Sequence, residues 1–378
     1  MSNDLKGILV VSIEQAVAAP YLSSRLADAG ARVIKIERPE GDFARNYDSL
    51  VNGDSAYFVW LNRGKESITL NLKVETDLQV LKNIIQKADV LIQNLAPGAF
   101  ERLGLSLKEL RREFPKLITC SITGFGEKGP YMNQKAYDML IQAETGLTDL
   151  TGVPENDIDK GRARVGVSVC DISAGMTSLN AVLQALIGRN TTGKGRHISV
   201  SLFSALSDWM NVPYLQYSYS RKEPKRCGIR HPTITPYASF VCSDNLEILI
   251  GIQNEREWIN FCKYVLENET LALDKLYSSN NLRVKNTNKL EKIIHTKFKT
   301  LSRDEVIKRC ELGGIAFGRI SNIEQFSQHP QNQFIEVNAP KGKIKMIAPG
   351  AEHDGKTFFA KKVPRLNENG KAIREEFK

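Results

Sequence analysis

Ile8-Leu9-Val10-Val11-Ser12-Ile13, then a helical stretch from Tyr21 to Ala29, then Ala31-Arg32-Val33-Ile34-Lys35-Ile36-Glu37: this opening run decides the fold class. Its first and last segments are short and almost continuously apolar, the pattern of strands covered on both faces of a parallel sheet. Pro20 stands near the first turn of the helix and Gly30 just past its end, the positions each residue favours. The rhythm then repeats. Ser67 to Leu72 alternates as a half-exposed strand, and Leu78, Leu81, Ile84, Ile85 and Ala88 keep helical spacing before the strand Val90-Leu91-Ile92. Ser106-Leu107-Lys108-Glu109 is a capping box that opens another helix, and Leu117 to Ile122 is the next strand. Val165, Val167 and Val169 alternate as a short strand. Asp171 opens a helix with Ile172, Met176, Leu179, Val182, Leu183 and Leu186 on its apolar face, and His197 to Leu202 is again a strand. The expectation is an α/β fold with a parallel, doubly wound sheet.

The texture changes near 220. Ser220 to Arg226 is polar and basic, as in a linker, and Ala238–Val241 with Leu246–Ile252 reads as a hairpin around Ser243-Asp244-Asn245. Amphipathic helices follow, one of them opened by a capping box from Ser302 to Glu305. The predicted organisation is a large α/β domain over 1–220 and a smaller α+β domain over 228–320. The segment 321–378 returns to the large domain, because one strand and a short helix cannot fold alone. The Asn/Lys-rich stretch 277–290 reads as a surface loop.

Composition fits this picture. The 378 residues are 42% hydrophobic and 25% charged, which excludes disordered, collagen-like and coiled-coil chains. No apolar run approaches the ~18 residues of a membrane span, and the start Met1-Ser2-Asn3-Asp4-Leu5-Lys6 lacks a signal pattern. A cytoplasmic protein with no membrane partner is expected. Six scattered cysteines form no C-x-x-C pair and five histidines no H-x-x-x-H pair, so neither a disulfide framework nor a metal site is expected. The excess of 52 basic over 43 acidic residues suits anionic partners. No aromatic-interleaved basic stripe accompanies it, so nucleic acid is not expected as a partner.

Three familiar motifs fail on context. Gly124 to Gly129 matches G-x-G-x-x-G, but it lies deep in the chain and Pro130 follows at once. The turn Gln15 to Pro20 contains no glycine, so a pyrophosphate cannot approach its backbone, and Glu37 alone is a weak ribose reader. Gly188 to Lys194 lacks the hydroxyl residue of a P-loop and follows a helix, so it reads as a helix–strand turn.

Five strings carry a resemblance. They are Asp28 to Pro39; Tyr57-Phe58 with Leu61 to Ile68; Gln93 to Gly98 with Glu101 to Gly104; Ser121 to Gly126 with Gly129-Pro130-Tyr131; and Gly166 to Asp171. Arg230-His231-Pro232 and Pro236-Tyr237 continue the series. In this order, over almost the whole chain, they resemble the family III CoA-transferases, which also include acyl-CoA racemases. The resemblance implies a Rossmann-like large domain, a smaller domain and an interlocked homodimer. It implies an acyl-CoA and a small carboxylate as substrates, with no permanently bound cofactor.

The resemblance makes Asp171 the nucleophile, forming an acyl anhydride and then an aspartyl-CoA thioester. Read from the residues alone, Asp171 is a plain N-cap; both roles can hold, because a helix N-terminus favours the ionised form. Ala18, Arg38, Leu70, Lys73, Asn94, Leu95, Arg102, Lys135, Tyr137 and Asp138 match CoA-lining positions. The cations among them suit the CoA phosphates, and Asn94 and Leu95 match residues near the adenine. Ala96 departs from the family, where an arginine is common. Gln15 and Tyr57 match positions near the acyl pocket. Cys170 reads as a buried structural thiol. Racemases carry a histidine where this chain has Tyr137, whose ordinary pKa near ~10 suits a base poorly at neutral pH. That favours transfer over a 2-methylacyl-CoA racemase, and retained Asp171 argues against a silent CoA-binding relative. Residues 228–260 hold only Gly228 and Gly251, so the glycine-rich shielding loop of oxalate-specific members is missing. Ser12 to Pro20 resembles the branch that handles small dicarboxylates. The expected donor is succinyl-CoA. The expected acceptor is itaconate, mesaconate, citramalate or glutarate.

Overall fold

The computed structural model describes residues 2–154 and 161–378. They form two compact units. The larger holds the described residues up to Thr148, then Arg164–Lys222 and Asn332–Lys378; the smaller holds those between Asp149 and Ala163 with Glu223–Gln331.

In the larger unit, β1 (Leu9–Ile13), β2 (Arg32–Glu37), β3 (Lys65–Thr69), β4 (Val90–Gln93), β5 (Ile118–Thr123) and β6 (His197–Ser201) form one sheet in the order β3-β2-β1-β4-β5-β6. Every pairing is parallel. Side chains alternate across the strands, so Val10 and Val33 face one layer while Val11 and Ile34 face the other. On the first side Leu22 and Leu26 of helix Ala18–Asp28 pack with Val182 and Leu186 of the long helix Val169–Thr192. On the second side Leu78, Leu81, Ile84 and Ile85 of helix Glu75–Lys87 cover the sheet.

In the smaller unit, β7 (Tyr237–Val241), β8 (Glu247–Gly251) and β9 (Ala316–Arg319) form an antiparallel sheet over a core that includes Trp258, Phe261 and Phe298. The tail adds the hairpin β10 (Phe334–Ala339) and β11 (Gly342–Ile347) to the larger unit, with Ile335 and Val337 packed on Phe58 and Val59. Asn367 and Asn369 then bind the backbone of β3 through Thr69 and Ser67, covering the sheet edge.

Four sequence expectations need correction. Residues 149–154 and 161–163 join the smaller unit, because Arg226 binds the Asp149 carboxylate (3.0 Å) and the Val153 carbonyl (3.1 Å), and Gly228 N–H donates to Gly152 O. The return to the larger unit begins at Asn332 rather than 321; Gln325 and Gln328 line a cleft with Arg303 and Phe317 of the smaller unit. The stretch 277–290 is helical, over Asn280–Lys285 and from Thr287 onward. Its Arg283 is buried against Glu255 (2.6 Å) and the Thr235 carbonyl, a tertiary partner that polar composition does not reveal. Finally, Val165–Val169 is not a strand. β6 already occupies the edge beside β5, and the Val165 N–H goes to Gln142 Oε1 instead. The helix therefore begins at Val169 with Ser168 as N-cap, and Asp171 lies inside its first turn.

The long helix lies against helix Ala18–Asp28 through Gly175. A Cβ there would stand 2.8 Å from Ala18 O and 3.0 Å from Tyr21 Cβ. Gly175→Ala gains about 1 kcal/mol of helix propensity, but overpacking against backbone costs about 1–3 kcal/mol. A net loss of up to about 2 kcal/mol is expected as a lower urea midpoint. An unchanged midpoint would mean that the two helices separate freely.

Candidate active site

The sheet order makes the chain leave β1 and β4 in opposite directions, opening a crevice at their carboxyl ends. Asn94, after β4, bridges it. Its Oδ1 accepts the Gln15 N–H (2.9 Å) and its Nδ2 donates to the Gln15 carbonyl (2.8 Å). The side chain expected near an adenine thus also holds the β1 turn. Ala16 adopts φ 65°, a left-handed conformation that costs a non-glycine residue about 1–3 kcal/mol. Its N–H is held by Asp42 Oδ1 (3.1 Å), while Asp42 Oδ2 pairs with Lys35 (2.8 Å).

Beneath this turn lies a charge network closed to solvent. Glu14 takes Lys65 at 2.5 Å, Lys35 at 3.3 Å and the hydroxyls of Ser12 and Ser23. Burial alone would raise the Glu14 carboxyl, but Lys65 and Lys35 outweigh it and hold it at about 2. Glu37 is no ribose reader. It is buried and accepts from Arg45, Ser67 Oγ and the Asp42 N–H.

A cleft of about 810 Å³ opens above the turn. It brings together Gln15, Ala18, Tyr57, Asn94, Leu95, Lys135, Tyr137, Asp138 and Asp171. A second cleft, of about 490 Å³, is lined by Arg38, Leu70 and Lys73. Gln15 and Leu95 line both, so the two form a continuous path along the sheet edge. Arg102 lines neither; its Nη1 faces the Pro97 carbonyl at 3.4 Å.

Asp171 is half-buried, and its carboxyl is pushed up to about 7 by burial and then by the charge of Asp138. Burial and Asp138 thus oppose the ionisation expected at a helix N-terminus. The Cys170 and Asp171 N–H groups already donate to Asp138 Oδ1, at 2.7 and 3.3 Å, so that end of the helix has its anion. Asp138 Oδ2 accepts from Gln142 (2.7 Å), so both oxygens of Asp138 are engaged by the protein while the residue lines the cleft. Cys170 is fully buried, and burial raises its thiol. Gly124 of the failed glycine motif lines the cleft without cradling a phosphate helix.

Sequence reasoning missed Tyr47 and Arg164, which also line the cleft. Tyr47 stacks edge-on to Tyr57 at 5.5 Å, and burial, then Asp42 and Asp171, push its hydroxyl up to about 12. Arg164 stands just before the last of the five strings, and that proximity was the available signal.

Similarity to known proteins agrees with this geometry. The family model described as CoA-transferase family III matches residues 5–370. The chain is 32% identical over 380 residues to the succinyl-CoA:glutarate CoA-transferase of Mus musculus, covering 98% of this chain and 86% of that protein. It is 33% identical over 383 residues to the acetyl-CoA:oxalate CoA-transferase of Acetobacter aceti, covering 98% and 95%. The crystal structure of a CAIB/BAIF family protein from Brucella suis superposes with a TM-score of 0.85 at 33% identity, over 100% of both chains. A match of this extent, on a six-stranded parallel sheet with its cleft at the carboxyl edge, means that the chain belongs to CoA-transferase family III.

Proposed function

We propose that the enzyme moves CoA from a succinyl thioester to a small dicarboxylate, with Asp171 as the nucleophile. The observation that carries this reading is the placement of Asp171 in a cleft continuous with a second one lined by Arg38 and Lys73. An acyl-CoA is long and bears phosphates at one end and a thioester at the other. The path supplies cations at one end and a carboxylate at the other.

A carboxylate oxygen of Asp171 attacks the thioester carbonyl carbon, the C–S bond breaks, and CoA leaves as thiolate. The thiolate attacks the aspartyl carbonyl of the resulting anhydride, releasing the donor acid and leaving an aspartyl-CoA thioester. The acceptor carboxylate attacks that thioester and again frees the thiolate. Attack of the thiolate on the acceptor's acyl carbon yields the new acyl-CoA and restores Asp171. No carbon-bound proton moves, in keeping with Tyr137 where racemases place a histidine. Lys135, Tyr137, Leu95 and Ala18 line the passage for the pantetheine and acyl group. Gln15 and Tyr57 offer hydrogen bonds at the thioester. The larger unit binds CoA, and the enzyme works as an interlocked homodimer.

A dicarboxylate keeps one carboxylate free, which needs a cation. Arg164 lines the Asp171 cleft. With succinyl-CoA as donor, acyl-CoA exchange should occur with glutarate, itaconate, mesaconate or citramalate. Oxalate belongs in the same panel because of the Acetobacter aceti relative. Arg164→Met should raise KM for the preferred dicarboxylate about tenfold or more, as expected for a lost charge-assisted hydrogen bond. It should leave KM for acetate unchanged. Deuterium incorporation at the α-carbon of an acyl-CoA, without exchange, would replace this reading with racemisation. The absence of exchange across the panel would overturn the transfer reading.

A further inference from the structure

A long helix starts with four backbone N–H groups that its own turns cannot satisfy. In helix Val169–Thr192 the N-cap Ser168 makes no side-chain bond to them. Two are satisfied by another helix. Asp138, at the start of helix Asp138–Glu144, accepts the Cys170 N–H at 2.7 Å and the Asp171 N–H at 3.3 Å on Oδ1. One turn along, Gln142 is fully buried. Its Nε2 donates to Asp138 Oδ2 at 2.7 Å, and its Oε1 accepts the Val165 N–H at 2.9 Å. The pair thus grips the first turn of the long helix and the loop entering it.

We infer that Asp138 and Gln142 form a clamp that sets the position of Asp171, acting as positioning residues. This rests on Asp171 being the nucleophile. Gln142 lines neither cleft, and both oxygens of Asp138 are engaged by the protein. The direction of each hydrogen bond fixes the chemistry. The backbone N–H groups at both ends of the relay can only donate. Gln142 must therefore turn its oxygen to Val165 and its NH₂ to residue 138, which must accept on both sides. A carboxylate does so and an amide cannot.

That directionality supplies the test. In Asp138→Asn an NH₂ meets an N–H somewhere in the relay, whichever way the amides turn. In Gln142→Glu two acceptors face each other. In the double variant Asp138→Asn/Gln142→Glu every donor again meets an acceptor, and the net charge is unchanged. Each single variant is expected to lower kcat for acyl-CoA exchange by about 10- to 100-fold, the scale of a ~1 Å misplacement of a reacting group. KM for acyl-CoA should change little. The double variant should recover to within about tenfold of wild type, a strong coupling. Hydrogen exchange of the peptide covering 165–171 should quicken in both single variants and slow again in the double. Losses that simply multiply in the double variant, or exchange of that peptide that does not respond, would overturn the clamp. Asp171→Asn is assayed alongside. Activity retained there would overturn the nucleophile reading, while the exchange pattern would still decide the clamp.

Discussion

Asp171→Asn is expected to lower kcat/KM for acyl-CoA exchange by roughly four orders of magnitude or more, the scale seen when a covalent nucleophile is removed. The amide keeps the shape of the carboxylate and cannot form the anhydride. The wild-type pH profile should carry the same signature. Burial, and after it Asp138, push the Asp171 carboxyl up to about 7, and only the ionised form attacks. kcat/KM of the free enzyme should therefore fall about tenfold per pH unit below about 7. Stability runs the other way. The folded-state value lies above the ordinary 3.8, so the stability tied to the neutral carboxyl is fully present below about 4. It is lost as pH rises through about 7. The neutral amide of the variant has no such loss, and near pH 8 the variant should melt no lower than wild type. A variant that keeps wild-type exchange would remove Asp171 from the mechanism. A flat acid limb down to about pH 5 would show that Asp171 is ionised throughout that range.

The largest stability effect is expected from Glu14→Gln. Glu14, Lys35 and Lys65 have side chains with no exposure to solvent, and Glu14 contacts both ammonium groups. The substitution leaves Lys65 without a charged partner and Lys35 with Asp42 at 2.8 Å. Breaking a buried pair from one side costs about 3–5 kcal/mol, a large part of the ~5–15 kcal/mol that holds a typical domain folded. Urea unfolding at neutral pH should show it. The pH dependence has a definite sign. Glu14 sits at about 2 against an ordinary 4.5, so it stabilises the wild type above about 4.5, and that contribution disappears as pH falls toward about 2. The variant lacks this acid transition. Burial lowers Lys65 to about 8 even with Glu14 beside it, so its neutral form is already favoured by folding. The variant's deficit should narrow as pH rises through about 8, where folded wild-type Lys65 also gives up its proton and with it the pairing to Glu14. A loss below about 1 kcal/mol would mean that the network relaxes or admits water. The effect should reach the site, because Lys35 also anchors the Asp42 that holds the Ala16 turn under Gln15.

Much of this was legible in one dimension. Strands buried on both faces read as short apolar runs, and Val10, Val11, Val33 and Ile34 lie in the two layers that such runs imply. The spacing of Leu78, Leu81, Ile84 and Ile85 placed a helix on the sheet. Turns and caps are local as well. Ser106 and Ser302 cap their helices where the boxes were read, and Gly193 ends the long helix in the left-handed conformation. The five strings carried family membership, because they combine residues whose chemistry and order are shared along the chain.

Other features depend on groups far apart in the chain that meet only after folding. Val165, Val167 and Val169 alternate like a strand, yet the N–H groups of Val165 and Cys170 go to Gln142 and Asp138, more than 20 residues earlier. Asn94 and Asp138 look like free polar groups until their partners at Gln15, Cys170 and Gln142 come into view. Glu14, Lys35 and Lys65 look like surface charges in sequence and become a buried cluster when β1, β2 and β3 lie side by side. Local periodicity reports which face of an element is apolar, and that was enough for the elements and their order. Which polar group satisfies which, and how far a carboxyl is pushed from its ordinary pKa, depend on long-range contacts and on the loss of water. Only the tertiary structure decided those.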